Sequence, residues 1–150
     1  METFESANAE FRRAVEEIFN KAKFIQSLGI RLKDVGPGWC ETTLVLEPRH
    51  LQQDGFAHAG VVATMADHTS GAASGSLVAR EAMVLTVEYK INLMRPGTGE
   101  SLFCRAEVLR AGKRIIVAES SVYATAGGKQ KLAAKGLFTL SVLPSQSPAG

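Results

Sequence analysis

Cysteine is scarce in this sequence, which has only Cys40 and Cys104 among 150 residues. Their positions fit neither a metal-ligand spacing nor a disulfide framework, so we expect two buried, free thiols of the kind found in a reducing cytosol. No apolar run approaches the roughly 20 residues that a bilayer-spanning helix needs. The first residues, METFESANAEFRR, are acidic and lack the apolar core of a signal peptide. We therefore expect a cytoplasmic protein with no membrane partner.

Neither positive nor negative charge dominates the sequence, because the formal net charge is only +2. The distribution is uneven: residues 1–20 hold five acids and two bases, whereas residues 90–135 hold nine bases and three acids. The basic part could receive an anionic partner, or it could form the solvated outer faces of strands. No basic patch is interleaved with aromatic residues, which argues against a nucleic-acid partner.

The chain has the length of one ordinary domain, so residues 1–150 are predicted to form a single unit. Apolar residues at helical spacing predict an amphipathic helix over 8–24, within an N-terminal segment 1–24. Residues 144–150 have the composition of a flexible tail. Strand periodicity, punctuated by Gly and Pro turns, predicts five or six antiparallel strands over 30–35, 39–46, 83–94, 101–110, 114–125 and 131–143.

A second helix, over 60–77, is built mostly from small residues. Thirteen of the twenty residues from Gly60 to Ala79 are Gly, Ala, Ser or Thr. One sheet curled around one helix, buried nearly all round, would leave little radial room and would require such residues. The prediction is therefore an α+β fold in which the sheet wraps a long central helix and the N-terminal helix is an addition.

Crowding does not explain Asp67, which falls in the middle of this helix. A carboxylate in a packed helix costs several kcal/mol unless it is paired or faces a cavity. It could lie on an exposed stripe, or bond a hydroxyl such as that of Ser70 or Thr64. The alternative is chemical: backbone N–H groups at the helix start, near His58, suit a developing oxyanion, and a carboxylate can activate water or attack directly. These are the two halves of an acyl-transfer site.

The two halves are far apart on one helix. Seven residues separate Gly60 from Asp67, which corresponds to about 10 Å of axial rise. A base and an oxyanion hole that serve one carbonyl should each lie about 3 Å from the reacting atoms. We therefore expect Asp67 to work with the helix N-terminus of a second chain, antiparallel across a two-fold axis, in a homodimer or a dimer of dimers.

The segment HAGVVATMAD resembles the signature of hotdog-fold acyl-CoA thioesterases of the PaaI type. Gln52 lies fifteen residues before the acid and His58 nine before it. The later segment LTVEYKINLMRP is also similar, with Thr86 where the family often has Ser or Thr. The resemblance covers about residues 25–142 and implies the hotdog fold and hydrolysis of an acyl-CoA ester, with no metal or other cofactor.

The resemblance also implies a role for each matching residue. Asp67 would be the general base or the nucleophile, a choice that stays open, and Thr86 would bond the water or the acid. The Ala59 N–H would hold the thioester oxygen with Gly60 nearby. His58 would position the carbonyl or shape the oxyanion hole, and Gln52 would orient the water or the thioester. The family's usual Gly after the His is Ala59 here, which keeps the N–H donor but is less free at positive φ.

Other polar residues are weaker candidates. Arg95, Lys113 and Arg114 are the cations best placed for CoA phosphates, unless they are plain solvated charges. A one-residue slip of the alignment would exchange Gln52 for Gln53. His68 points about 100° away from Asp67 on a helix, which disfavours a shared metal. His50 is expected to be a surface loop residue.

Two further functions stay open at this stage. A non-catalytic acyl-CoA-binding or regulatory protein of the same fold would be expected to lack the acid or the oxyanion segment, and neither is missing. An enoyl-CoA hydratase would carry an Asp/His pair at an offset of five residues with Asn-Pro between, whereas Asp54 and His58 are four apart. The acyl group itself is not indicated by the sequence.

Overall fold

The computed structural model describes residues 2–144 and contains one six-stranded antiparallel sheet. The tail predicted at 144–150 therefore lies, from residue 145 onward, outside the described residues. Across the sheet the strands follow the order β1-β2-β4-β5-β6-β3, so β1 and β3 are the edges. The strands are β1 (Arg31–Gly36), β2 (Trp39–Val45), β3 (Met83–Leu93), β4 (Ser101–Ala111), β5 (Ile115–Ala126) and β6 (Lys129–Leu143).

Alternating burial along the central strands shows which face of the sheet carries the core. On β4, Leu102, Cys104 and Ala106 are fully buried, and the residues between them are only partly covered. This period of two places every second side chain on the helix side of the sheet. Cys40 is buried on the same face, so the predicted pair of buried, free thiols is confirmed.

The central helix α3 (Ala59–Gly75) lies across this face, which confirms the predicted α+β architecture. Its small residues allow close packing, and two of its buried hydroxyls, those of Thr69 and Ser74, form hydrogen bonds. Thr69 bonds the Met65 carbonyl oxygen (2.6 Å) and the hydroxyl of Thr42 on β2 (2.7 Å). Burial is less complete than predicted, because a stripe that includes Thr64, Asp67 and Gly71 is only half-buried.

The predicted N-terminal helix is present, but it does not run as one segment over 8–24. Two helices are present, α1 (Phe11–Lys21) and α2 (Lys23–Leu28), joined at Ala22. The Gln26 side chain compensates the break, because its Nε2 donates to the carbonyl oxygens of Phe19 (3.1 Å) and Asn20 (2.6 Å) at the end of α1. A side-chain donor thus replaces the backbone donors that a continuous helix would supply. Within residues 2–144, no helix combines the length and the apolar character needed to cross a membrane.

Candidate active site

His58 caps the N-terminus of α3 and determines which backbone donors are free. Its Nδ1 accepts the N–H of Gly60 at 2.8 Å. The N–H of Ala59 has no acceptor among residues 2–144, and Ala59 is exposed. Of the two predicted oxyanion donors, Gly60 is therefore engaged by the cap and Ala59 is free. Because Nδ1 accepts, a neutral His58 ring carries its proton on Nε2, which is a second free donor beside Ala59.

The change from the family's Gly to Ala59 is accommodated without strain. Ala59 is the first residue of a regular helix, and none of the described non-glycine residues has a positive φ. The geometry of the N-terminus therefore does not need a glycine at this position.

The loop before α3 is held by His50, whose predicted place on the surface is wrong. His50 is 1% exposed. Its Nδ1 accepts the N–H of Glu47 (2.9 Å), its Nε2 lies 2.6 Å from the Leu28 carbonyl oxygen, and its own carbonyl oxygen accepts the N–H of His58 (2.8 Å). His50 follows Pro48 in a short 3-10 helix (Pro48–His50), which turns its ring inward. It is a positioning residue that the sequence reading missed.

Gln52 shapes the turn that leads to His58. Its side-chain Oε1 accepts the backbone N–H of Asp54 and, at 3.3 Å, the backbone N–H of Phe56. The backbone N–H of Gln52 donates to the Phe56 carbonyl oxygen (2.7 Å). Gln52 also lines a cavity of about 330 Å³ together with Ala59 and Arg95. The neighbouring Gln53 is exposed, and within residues 2–144 its side chain bonds only Asp54 (3.1 Å). Of the two glutamines, Gln52 is thus the one beside the free N–H of Ala59.

Asp67 is paired with Thr86 of the edge strand β3. The Thr86 hydroxyl donates to Oδ1 of Asp67 at 2.7 Å. The two alternative partners considered from the sequence are not used, because Thr64 bonds the Gly60 carbonyl oxygen (2.7 Å) and Ser70 contributes no hydrogen bond from its hydroxyl within the described structure. Within residues 2–144, the second carboxylate oxygen of Asp67 has no hydrogen-bond partner. This oxygen lies on the half-buried stripe of α3 and can contact another group.

The structure brings the predicted residues together in two separate groups. Gln52, His58 and Ala59 surround the N-terminus of α3, whereas Asp67 and Thr86 meet two turns along the helix. The axial rise from Gly60 to Asp67 is about 10 Å. Within one chain, the carboxylate and the free N–H of Ala59 therefore cannot contact the same carbonyl group.

A mostly apolar cavity of about 580 Å³ lies between α1, α3 and the start of β3, and Asp67 itself does not line it. Gly71, one turn after Asp67 on the same helix face, lines it, and a Cβ added there would meet no atom within 4 Å. His68 also lines it and packs edge-on against Phe19, with ring centroids 4.6 Å apart. Burial lowers the pKa of His68, and the nearby Asp67 opposes that shift only in part. His68 therefore contributes a neutral, largely apolar wall.

Arg95 lies apart from the other two cations predicted for phosphate binding. Its Nη1 donates to the Leu132 carbonyl oxygen (3.0 Å), near the start of β6. Lys113 and Arg114 occupy the β4–β5 turn, where the Arg114 carbonyl oxygen accepts the N–H of Val142 (2.8 Å) near the other end of β6. Lys129 and Lys131, which belong to the basic part of the sequence but were not predicted to bind phosphate, line a cavity of about 340 Å³ with Arg95. Within residues 2–144, no three His, Cys, Asp or Glu side chains are grouped as a metal site would require.

The chain is similar to a known protein family and to several solved structures. Residues 54–130 match the family model described as the thioesterase superfamily. The chain is 36% identical to a thioesterase family protein from Silicibacter pomeroyi, with a TM-score of 0.89 over 90% of this chain and 99% of that one. It is 31% identical to a conserved protein from Pseudomonas aeruginosa, with a TM-score of 0.73 over 80% and 93% of the two chains. The PaaI protein of the E. coli phenylacetic acid degradation operon is 18% identical and has the same fold, with a TM-score of 0.82 over 91% and 95%.

Proposed function

Because the chain belongs to the thioesterase superfamily, a family of thioester hydrolases, we propose that it cleaves acyl-CoA to the free acid and CoA at a site formed around Asp67. The predicted resemblance to hotdog-fold thioesterases of the PaaI type is confirmed by the family match and by the fold shared with PaaI. The observation that carries the proposal is the 2.7 Å bond from Thr86 to Asp67, on the half-buried face of α3. It orients a carboxylate one helical turn before Gly71, which lines an apolar cavity.

Asp67 supplies the reagent in this proposal. As a general base, its free oxygen removes a proton from a water molecule while the water oxygen attacks the thioester carbon; the C–S bond then breaks and the CoA thiolate takes up that proton. As a nucleophile, the same oxygen attacks the carbon directly, the C–S bond breaks with release of CoA, and water then hydrolyses the mixed anhydride. Both routes need the carboxylate held in one orientation, and the Thr86 hydroxyl serves this need by donating to Oδ1.

Ala59 supplies the oxyanion donor. Its N–H is free, and it lies at the positive end of the α3 dipole, where developing negative charge on the thioester oxygen is stabilised. His58 keeps Gly60 engaged and can offer its Nε2 proton to the same oxygen. Gln52 holds the turn beside them and can orient the thioester from the shared cavity.

Two chains complete each site, because one chain separates its carboxylate from its oxyanion donor. The edge strand β3 offers a surface for the second chain: Leu85, Val87 and Tyr89 are 47–64% exposed although they are apolar or aromatic. Pairing of two β3 edges about a two-fold axis would join two sheets and set the two α3 helices antiparallel. Asp67 of each chain would then approach Ala59 of the other. A homodimer, or a dimer of dimers, follows from this arrangement.

We expect the acyl group to bind in the apolar cavity that Gly71 and His68 line. The cavity begins one helical turn from the carboxylate, and Gly71 leaves its entrance open. Its walls are mostly apolar, so it suits an aryl or alkyl chain. Small residues on α3 thus both admit the sheet and leave room for the substrate.

Replacement of Asp67 by Asn tests the proposal. We expect the Asp67→Asn variant to remain folded and to lose at least about 100-fold in kcat, because the amide can neither take a proton from water nor attack. A panel of aryl- and alkyl-CoA esters with detection of free thiol gives the measurement. The variant Thr86→Val, which keeps the side-chain shape and removes the hydroxyl, should lose less, about 10-fold, because it only frees the orientation of the acid.

Three outcomes would count against this function. Near-full turnover by Asp67→Asn would remove the carboxylate from the mechanism. A wild-type protein that binds acyl-CoA but releases no thiol would be a binding protein and not an enzyme. Loss of the double bond of crotonyl-CoA without release of thiol would identify a hydratase.

A further inference from the structure

Two lysines of β6 lie on the helix side of the sheet, where strands usually place core residues. Lys131 is the cross-strand partner of Ala124, and Lys129 is the partner of Ala126. Directly paired residues point to the same face of a sheet. Ala124 is only 6% exposed and belongs to the helix-facing core. Both lysines therefore project on the side of the sheet that carries α3, beyond the N-terminal end of that helix.

Arg95 brings a third cation to the same place. Its guanidinium bonds the carbonyl oxygen of Leu132, the residue after Lys131, at 3.0 Å. The three cations line one cavity of about 340 Å³ with Phe56 and Thr98. The loop that carries Arg95 is packed tightly here, since a Cβ on Gly99 would lie 2.1 Å from the Thr125 carbonyl oxygen. The position of Arg95 beside the two lysines is thus a consequence of the fold.

No carboxylate balances this cluster. None of the acids that the structure describes lines the cavity, and none forms a salt bridge with Arg95, Lys129 or Lys131. Glu100, on the neighbouring loop, instead accepts the backbone N–H of Gly127 at 3.0 Å. Three like charges around one cavity repel one another unless an anion joins them. A ligand with several phosphate charges would meet this requirement.

The cationic cavity continues into the cavity of the oxyanion donor. Phe56, Arg95 and Pro96 line both cavities, and the second also contains Gln52 and Ala59. A ligand whose phosphates rest on the lysines can therefore extend past Phe56 to the free N–H of Ala59. An acyl-CoA has this form, because a long uncharged arm connects its phosphorylated nucleotide to the thioester.

We propose that Arg95, Lys129 and Lys131 bind the phosphates of the nucleotide half of the substrate, and that Phe56 contacts the uncharged arm where the two cavities meet. This inference rests on the proposed function. It assigns the phosphate site to the β5–β6 hairpin and the Arg95 loop, and it leaves Lys113 and Arg114 outside the site.

The double variant Lys129→Gln/Lys131→Gln tests the assignment with two substrates. One is an acyl-CoA that the wild type hydrolyses, and the other is the same acyl group on pantetheine, which lacks the nucleotide. We expect KM for the acyl-CoA to rise roughly 10- to 100-fold, because charge-assisted contacts to phosphate are lost. The kcat for both substrates and KM for the pantetheine ester should stay within about two-fold of the wild type, because those contacts reach only the nucleotide.

Two control variants make the result specific. Lys23→Gln/Arg110→Gln removes two exposed cations that line neither cavity and should leave KM unchanged. Lys113→Gln/Arg114→Gln tests the competing phosphate site. A rise of KM in this last variant, an unchanged KM in Lys129→Gln/Lys131→Gln, or an equal rise for both substrates would overturn the inference while the hydrolase function stands.

Failure of the proposed function gives a different result. In that case the wild type releases thiol from neither substrate. Binding of free CoA, measured by titration calorimetry on the same variants, then decides the inference. A loss of CoA affinity confined to Lys129→Gln/Lys131→Gln supports it, and equal affinity in all variants overturns it.

Discussion

The three histidines of the chain have different structural roles because their environments differ. His50 is enclosed and uses both ring nitrogens to hold a loop. His58 uses one ring nitrogen to cap α3 and leaves the other beside the Ala59 N–H. His68 is packed against Phe19, and its buried Nε2 has no partner among residues 2–144. Only the second of these lies at the N-terminus of α3, where we propose that the substrate carbonyl group binds.

His68 should make the stability of the fold depend on pH. Burial lowers its pKa in the folded chain below the ordinary value of 6.5, so the unfolded chain binds the proton first as the pH falls. The contribution of neutral His68 to the free energy of unfolding is therefore fully present above pH 6.5. Below pH 6.5 it decreases by up to about 1.4 kcal/mol for each pH unit, until the folded-state pKa is reached. Urea unfolding at pH 7.5 and 5.5 should show a larger loss for the wild type than for His68→Gln. The same pH dependence in both proteins would contradict this role.

The two cysteines should be unreactive in the folded protein. Burial raises the pKa of Cys104 to about 12, and burial together with nearby Cys104 and Glu41 raises the pKa of Cys40 well above its usual range. Because the thiolate is the reactive form, neither residue should react with Ellman's reagent at pH 8, whereas both should react after unfolding in guanidinium. Release of CoA can then be followed with the same reagent without interference. Rapid reaction of the native protein would show that the β2–β4 region opens readily.

At the scale of elements, the periodicity of apolar residues along the sequence was enough to predict the strands. Features that depend on a single side-chain contact, such as a helix break or a buried histidine, were not predicted. The alternation of apolar residues and the turn residues locate all six strands to within two residues of their ends. The helix break at Ala22 is not marked by Gly or Pro in the sequence. It is stabilised instead by the hydrogen bonds of the Gln26 side chain to the end of α1. The same holds for His50, whose burial depends on the Leu28 carbonyl oxygen, 22 residues earlier in the chain.

The loop before α3 should depend on His50 more than on any of its exposed residues. His50→Ala would leave the Glu47 N–H and the Leu28 carbonyl oxygen without their partner, at a cost of about 1–3 kcal/mol each when buried. We expect the free energy of unfolding, measured in urea, to fall by about 2–4 kcal/mol. The control Gln53→Ala, at an exposed position of the same loop, should change it by less than about 0.5 kcal/mol. A change below 1 kcal/mol in His50→Ala would show that the loop is held by its backbone alone.

At the scale of the whole molecule, two features of the single chain remain incomplete. The edge strand β3 exposes apolar side chains, with Val87 64% exposed, and α3 carries a stripe of residues that are only half-buried. The bond from Thr86 to Asp67 lies where these two surfaces meet. A second copy placed there would cover both surfaces and bring in the missing oxyanion donor, so one arrangement accounts for the apolar edge and for the divided site.

The free donor of Ala59 can be removed without disturbing the helix. Ala59 is the first residue of α3, the position where proline is best tolerated, because its N–H takes no part in the helix. The preceding residue, His58, has φ −61° and ψ 138°, which is the extended conformation that a following proline requires. Ala59→Pro should therefore give a folded protein that lacks one N–H and little else.

Mixing two inactive subunits then tests whether the site is shared. If Asp67 of one chain works with Ala59 of the other, a heterodimer of Asp67→Asn and Ala59→Pro contains one intact site, formed by Asp67 of the second and the Ala59 N–H of the first. Random association makes half of the dimers mixed, so co-expression of the two variants should restore about a quarter of wild-type activity. Each variant alone should be nearly inactive. If both halves of the site came from one chain, every site in the mixture would lack one of them, and activity would stay at the level of the separate variants.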